Sequence, residues 1–188
     1  MHYELHPLCT LFPRMGGAEF DSLVADIKTN GLSQPITLHN GFILDGGNRY
    51  RACMEAGIEP RFVEFEGASV VSFVLSANLH RRHMTAGQQA AIVASAQDWA
   101  KAQTKGGDRG NQHTGGKVSA DTLATAEDRA AQAGVSIATQ KRADKVAKAD
   151  PELAKQVAHG EESLPKAVAK VEGRKAPVKK PEPLPEDP

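Results

Sequence analysis

The sequence lacks the features that would tie it to an oxidising compartment or to a membrane. It has two cysteines, Cys9 and Cys53, which are too few and too far apart for a disulfide framework. No apolar run approaches the roughly 20 residues that a membrane-spanning helix needs. Residues 1–4 also lack the basic and apolar regions of a signal peptide. We therefore expect a soluble cytoplasmic protein without a membrane partner.

Net charge and aromatic side chains are also scarce. Basic and acidic side chains number 23 each, so no overall electrostatic field points to a class of partner. Aromatic residues make up 5% of the chain, and frequent alanines favour helix. The basic residues are concentrated in residues 136–175, which hold nine of them against six acidic ones. The position of the basic residues along the chain, and not the net charge, therefore indicates where an anionic partner could bind.

Hydrophobic periodicity and turn signals predict an α+β domain over residues 1–84. Asn40-Gly41 is a strong two-residue hairpin signal between two short apolar runs. The predicted segments are an extended stretch or loop over 5–12, a helix over 19–30, strands over 36–39, 42–45 and 61–65, a helix ending at Gly57, and a helix from Gly67 to the motif at Asn78.

The second half of the chain is predicted to be helical. Thr85 caps a connecting helix over 85–104, and an all-α module follows over 119–172. Residues 105–118 are rich in glycine and polar residues and are either a linker or a basic loop that follows a phosphate backbone. Residues 173–188 form a Lys- and Pro-rich tail that we expect to be disordered.

The stretch 43–53 (Ile-Leu-Asp-Gly-Gly-Asn-Arg-Tyr-Arg-Ala-Cys) is the organising feature of the first domain. It has the pattern of a strand, a glycine pair and a helix, and such a junction leaves backbone N–H groups at a helix N-terminus free for an anion. Arg49 and Arg51 stand beside the glycines and can supply charge to a phosphate. The alternative is a tight turn whose arginines are solvated.

Residues 130–142 have the pattern of a DNA-binding helix-turn-helix. Gly134 supplies a left-handed turn, Val135 fills the angle between the helices, and a serine caps a basic second helix. The alternative is an ordinary helical hairpin with a glycine turn. The residues predicted to contact DNA are Ser136, Ile137, Thr139, Gln140, Lys141, Arg142 and Lys145. Of these, Ile137, Thr139, Gln140 and Lys141 are expected near base edges. Arg142 and Lys145, together with Lys148, are expected on the backbone, and Ser136 can reach a phosphate.

The order of these motifs resembles the ParB partition-protein family. Residues 44–52 resemble the Gly-Glu-Arg-Arg-Tyr-Arg-Ala pattern of that family, and residues 78–81 (Asn-Leu-His-Arg) resemble the last four positions of its Glu-Asn-x-x-Arg pattern. The resemblance covers about Leu5 to Val171. It implies a ParB/sulfiredoxin-like domain followed by a helix-turn-helix domain, double-stranded DNA as a partner, and cytidine triphosphate with magnesium as a cofactor. The residues it assigns to the phosphate site are Gly46, Gly47, Asn48, Arg49, Arg51, Asn78 and Arg81.

Two positions depart from the family pattern. Asn48 replaces the first arginine of the family's pair, and Ala77 replaces a glutamate that helps to hold the metal. Magnesium requires oxygen ligands, and alanine offers none. An anion or a nucleic-acid phosphate can still occupy the pocket without the metal.

No catalytic residue and no metal ligand is predicted. The sulfiredoxin branch has a nucleophilic cysteine where this chain has Asn48, and Cys53 is expected to be a buried packing residue. His80, His83 and Asp45 lack the tight spacing of a metal-dependent nuclease site.

We therefore expect a sequence-specific DNA-binding protein that acts in plasmid, phage or chromosome partition or in transcriptional regulation, associates with a nucleoid or plasmid, and forms a homodimer on DNA. The alternative is a nucleoside triphosphatase, acting on CTP or ATP, or a nuclease that uses the pocket at Gly46 to Arg51.

Overall fold

The computed structural model describes residues 2–79, 84–105 and 123–173, and all structural statements below concern these ranges. A 3-10 helix over Pro7–Leu11 precedes the first α-helix. The further elements are α1 (Gly17–Asn30), β1 (Ile36–His39), β2 (Phe42–Asp45), α2 (Gly47–Ala56), β3 (Phe62–Glu64), α3 (Val70–Asn78), α4 (Ala86–Lys105), α5 (Ala126–Ala133), α6 (Ile137–Ala149), α7 (Pro151–His159) and α8 (Leu164–Val171).

The strands form a small mixed sheet in the order β2-β1-β3. β1 and β2 are antiparallel and joined at Asn40-Gly41, where both residues have positive φ (50° and 80°), as the sequence signal predicts. β1 and β3 are parallel, and the helix α2 lies in the connection between β2 and β3. The predicted α+β class is confirmed, with mostly helical structure around this sheet.

The first apolar core lies between the sheet and the helices α1 and α2. Phe20 and Ile27 of α1 pack with Ile36 and Ile43 of the strands. Cys53 is fully buried in the same cluster, as expected for a packing residue. This core holds the β2–α2 junction, and with it the glycine pair, against α1.

The second core is built around α4. Ala90, Ile92, Val93 and Ala96 are fully buried, and α4 packs on α5, α6 and α7. Alanines allow close approach of neighbouring helices, so the predicted connecting helix over 85–104 is in fact the central element of the helical module. Leu8 belongs to this core as well, which joins the 3-10 helix to the helical module.

Residues 5–12 differ from the predicted extended segment or loop. Leu5 forms a single bridge with Ile43, after which Pro7–Leu11 turns into the 3-10 helix. His6 caps this helix, because its Nδ1 accepts a hydrogen bond from the Leu8 N–H at 3.3 Å. A proline directly after the cap suits a helix start, since its missing N–H has no intrahelical partner there.

His6 lies between the sheet and α4. Its ring centroid is 5.2 Å from that of Trp99 and 6.1 Å from that of His39, and the residue is 7% exposed. Burial, together with the charge of His39, lowers the pKa of His6 from 6.5 to about 4.

The depressed pKa of His6 predicts a loss of stability in mild acid. Because the unfolded chain binds a proton at this site below about pH 6.5 and the folded chain only near pH 4, the free energy of unfolding should fall between these values. We expect a loss of about 1–2 kcal/mol from pH 7 to pH 4.5, measured by urea unfolding. His6→Gln should remove this part of the pH dependence, whereas His2→Gln, at an exposed position, should keep it. Equal pH profiles for the His6 variant and the unchanged protein would contradict the assignment.

Several predicted features lie outside the described residues. These are His80, Arg81 and His83, the linker from residue 106 onward, and the tail from residue 174 onward. Within the described ranges, no helix combines the length and apolarity needed to span a bilayer.

Candidate functional site

A cavity of about 400 Å³ opens at the β2–α2 junction. The N-terminal segment, the end of the 3-10 helix and the start of α2 form its walls. The predicted site residues that line it are Gly46, Gly47, Asn48, Arg51 and Asn78, and further lining residues include Tyr3, Glu4, Cys9, Arg14, Asp45 and Tyr50. Five residues predicted from the sequence thus surround one cavity.

The glycine pair has a steric reason at both positions. Gly46 has φ +89°, a left-handed conformation that side chains other than glycine rarely adopt. A Cβ on Gly47 would lie 2.6 Å from Cδ2 of Leu5, so a side chain there would displace the N-terminal segment that forms one cavity wall. Within the described part of the chain no side chain caps α2, and its first-turn N–H groups are therefore available at the cavity.

Arg49 does not line the cavity. Its guanidinium donates a hydrogen bond to Oδ2 of Asp45 at 3.0 Å and another to the Pro35 carbonyl at 3.3 Å. The Arg49 side chain passes so close to Gly46 that a Cβ there would lie 2.9 Å from the guanidinium. Arg49 therefore stabilises the turn through Asp45, and its side chain, which the sequence placed in the phosphate site, does not lie at the cavity.

Two other arginines do face the cavity. Arg51 donates a hydrogen bond to the Met15 carbonyl at 3.1 Å and lies over the Phe20 ring, 4.1 Å from its centroid. Arg14 is exposed and also lines the cavity, and sequence reasoning missed it. A signal existed, because Arg14 lies two residues before a second glycine pair, Gly16-Gly17, at the start of α1, which no side chain of the described residues caps.

Asn78 places the end of α3 at the cavity. Its Nδ2 donates a hydrogen bond to the Val74 carbonyl at 3.0 Å, which leaves the amide oxygen for other partners. Arg81, predicted to complete the site, lies outside the described residues.

Cys9 is the thiol of the cavity wall. Its Sγ donates a hydrogen bond to the Leu44 carbonyl at 2.9 Å, and burial, with the nearby Asp45 carboxylate, raises the pKa of the thiol to about 12. A thiol is nucleophilic only as the thiolate, so Cys9 is not activated at neutral pH.

The cavity suits a phosphate better than a metal ion. Glu4 and Asp45 are the lining carboxylates, and Asp45 is already engaged by Arg49. Among the described residues, no group of three or more His, Cys, Asp or Glu is arranged to hold a metal ion. These residues therefore do not fit the magnesium that the family resemblance implies, whereas the helix N-terminus and the arginines fit an anion.

The second candidate surface is the outer face of α6. Gly134 turns the chain after α5 with φ +66°, and the Ser136 side chain caps α6 by accepting from the Thr139 N–H at 3.2 Å. Ile137 is 42% exposed at the first turn. The exposed basic residues of the helix are Lys141, Arg142, Lys145 and Lys148.

Two predicted DNA-contacting residues of α6 have other partners. Gln140 is fully buried, and its Nε2 donates to the Ala90 carbonyl at 3.2 Å and to Oδ1 of Asp144 at 2.8 Å. A buried side chain with these partners cannot reach a base edge. The prediction that Gln140 contacts a base therefore disagrees with its position in the structure. Lys145 is exposed but paired with Glu172 at 2.6 Å.

A polar network that sequence reasoning missed holds α6 in place. Arg129 of α5 donates to both carboxylate oxygens of Asp144 of α6, at 2.7 to 3.2 Å, and to the Leu123 carbonyl at 2.8 Å. Asp144 in turn accepts from Gln140, which bonds to α4. One partly buried chain of hydrogen-bonded polar groups thus links α4, α5 and α6 and sets the position of the basic face.

Comparison with known proteins gives little further support. No protein-family model and no curated protein matches the sequence significantly. Among solved structures, the chain is similar to the C-terminally truncated chromosome-partitioning protein ParB from Caulobacter crescentus, solved in complex with CTP-gamma-S. The identity is 20%, over 85% of this chain and 83% of the other, and the TM-score is 0.29. Values this low do not establish a common fold, so the ParB resemblance depends on the sequence motifs.

Proposed function

We propose that this chain is a ParB-like protein that binds double-stranded DNA through the exposed face of α6. The observation that carries the proposal is the basic surface of Lys141, Arg142 and Lys148 on a helix that follows a glycine turn. No carboxylate of the described residues forms an ion pair with these three side chains. They are therefore free to contact phosphates.

The first turn of α6 supplies the groups that would read bases. Ser136, Ile137 and Thr139 lie at the N-terminal end of the helix, which is the end that helix-turn-helix proteins place against base edges. Ile137 is exposed although it is apolar, as expected for a residue that contacts a thymine methyl group.

Selection of bound sequences from a random pool of duplex DNA tests the proposal. A recovered consensus supports sequence-specific binding, and a palindromic consensus would support a homodimer on DNA. Absence of binding in gel shifts at low salt would refute the DNA-binding function. The biological role, in plasmid, phage or chromosome partition or in transcriptional regulation, follows from where the consensus occurs in the source DNA.

A phosphate-bearing ligand in the cavity is a second proposed function. It rests on the start of α2, which no side chain of the described residues caps, and on Arg14 and Arg51 in the lining of the same cavity. The family resemblance suggests CTP as the nucleotide. The ligand set of the described residues favours binding that does not depend on magnesium.

Arg14→Ala is expected to weaken nucleotide binding about tenfold, because it removes one charge-assisted contact from an exposed side chain. Isothermal titration with CTP, with ATP and with inorganic phosphate measures the effect, each in the presence of magnesium or of EDTA. Lys28→Ala, which removes an exposed charge from α1, is the matched control. Binding that requires magnesium, or that Arg14→Ala leaves unchanged, would contradict this account of the cavity.

The enzymatic alternative is tested separately. Phosphate release from CTP or ATP, measured with and without DNA, would reveal a nucleoside triphosphatase, and nicking of plasmid DNA would reveal a nuclease. Turnover that disappears in Arg51→Ala would assign either activity to the cavity.

A further inference from the structure

A groove of about 450 Å³ lies beside the basic face of α6. Leu164, Pro165 and Val168 of α8 supply its apolar wall, and Thr139 and Arg142 of α6 supply its polar one. A groove with this apolar wall and the unpaired guanidinium of Arg142 suits a segment that combines apolar and acidic side chains.

The chain itself contains such a segment. Residues 181–188 read Pro-Glu-Pro-Leu-Pro-Glu-Asp-Pro and carry three carboxylates, Glu182, Glu186 and Asp187, around a single leucine. Four prolines in eight residues restrict the free chain, so less conformational freedom is lost when the segment binds. The segment is thus complementary to the groove in charge and in apolar character.

The connection between groove and segment is short. Glu172, directly after α8, bonds to Lys145 of α6 at 2.6 Å, so the chain leaves the described residues at Gly173 beside the basic helix. From there to Leu164 at the far end of the groove is about 14 Å of helix rise. The eight residues from Gly173 to Pro181 span up to about 25 Å when extended. The segment therefore reaches the groove on its own molecule.

We infer that residues 181–188 dock into the groove between α6 and α8 of the same chain and compete with DNA for Arg142. Leu184 packs on Leu164 and Val168, and the carboxylates occupy the position of DNA phosphates. The competition rests on the proposed DNA-binding function, but the docking does not. The segment acts as an autoinhibitory element that DNA must displace.

The test compares the unchanged full chain with the full-chain variant Glu182→Gln/Glu186→Gln/Asp187→Asn. Without DNA, the backbone amide resonances of Thr139, Arg142 and Val168 should differ between the two proteins. In an Arg142→Gln background, the same tail substitutions should shift the Thr139 and Val168 resonances less, because the docked carboxylates have lost their guanidinium partner. The control variant Glu55→Gln/Glu59→Gln/Glu66→Gln changes the net charge equally at exposed positions of the first domain and should leave these resonances unchanged.

In fluorescence anisotropy at low salt, the tail variant should bind duplex DNA about three- to tenfold more tightly than the unchanged chain, and the difference should shrink as salt rises. Unchanged amide resonances would overturn the docking, whatever the DNA result. Shifts that depend on protein concentration would assign the groove to the segment of another copy and overturn the intramolecular form. Weaker DNA binding by the tail variant would overturn the competition. If neither protein binds DNA, the proposed function is refuted, and the amide resonances still decide whether the segment docks.

Discussion

Arg129→Ala is expected to lower the free energy of unfolding by about 2–4 kcal/mol, because it leaves the Asp144 carboxylate without its charged partner. The side chains of Arg129 and Asp144 are only 12% and 24% exposed, and the guanidinium contacts the carboxylate in a bidentate arrangement. The lost bonds to the Leu123 and Ala124 carbonyls add to the effect. Urea unfolding followed by circular dichroism measures it.

Arg142→Ala is the matched control for this stability prediction. It removes the same side chain from an exposed position of α6, and alanine suits a helix interior, so the change in free energy should stay within about 0.5 kcal/mol. Equal losses in the two variants would show that the Arg129 network does not hold α6. Asp144→Asn should cause an intermediate loss, since it keeps an acceptor for Gln140 and removes the charge.

The second large effect concerns DNA binding. Lys141→Ala/Arg142→Ala should weaken binding about 10- to 100-fold at low salt and lower the slope of log K against log salt by about 2, because each phosphate contact contributes about 0.9. Each single variant should lower the slope by about 1. Fluorescence anisotropy on the selected duplex at several salt concentrations measures both quantities.

Lys28→Ala is the control for nonspecific charge effects, since it removes one exposed cation from α1.

Gln140→Ala tests whether this side chain contacts a base or only stabilises the fold. Because Gln140 is buried and bonds to α4, this change should lower stability and leave the base preference of the selected consensus unchanged. An altered preference at one base position would restore Gln140 to the base-contacting set.

Sequence reasoning succeeds here where the determinants are local. The strands over 36–39 and 42–45 agree with the structure, because Asn40-Gly41 specifies its own turn. The starts of α5 and α6 agree for the same reason, since Thr125 and Ser136 bond to N–H groups three residues away. The α+β class follows from these elements together.

Sequence reasoning fails where a side chain's partner is distant in the chain. The pattern around Gly46 predicts the same role, contact with a phosphate, for Arg49 and Arg51. In the structure Arg49 instead bonds to Pro35 and Asp45. Arg51 bonds to the carbonyl of Met15, 36 positions away. Arg14 joins the cavity only because the first core brings the start of α1 next to α2.

The sequence by itself determined the order of the elements and their caps and turns, and it pointed to the two regions proposed to bind an anion and a duplex. Only the tertiary structure decided which polar side chains face outward. Gln140 and Lys141 are neighbours on one helix, yet one bonds to a carbonyl 50 positions away and the other is exposed. The physical reason is that the hydrogen bonds of caps and turns form within a few residues. Whether a polar side chain is buried or exposed depends instead on the hydrogen-bond partner that tertiary packing brings next to it.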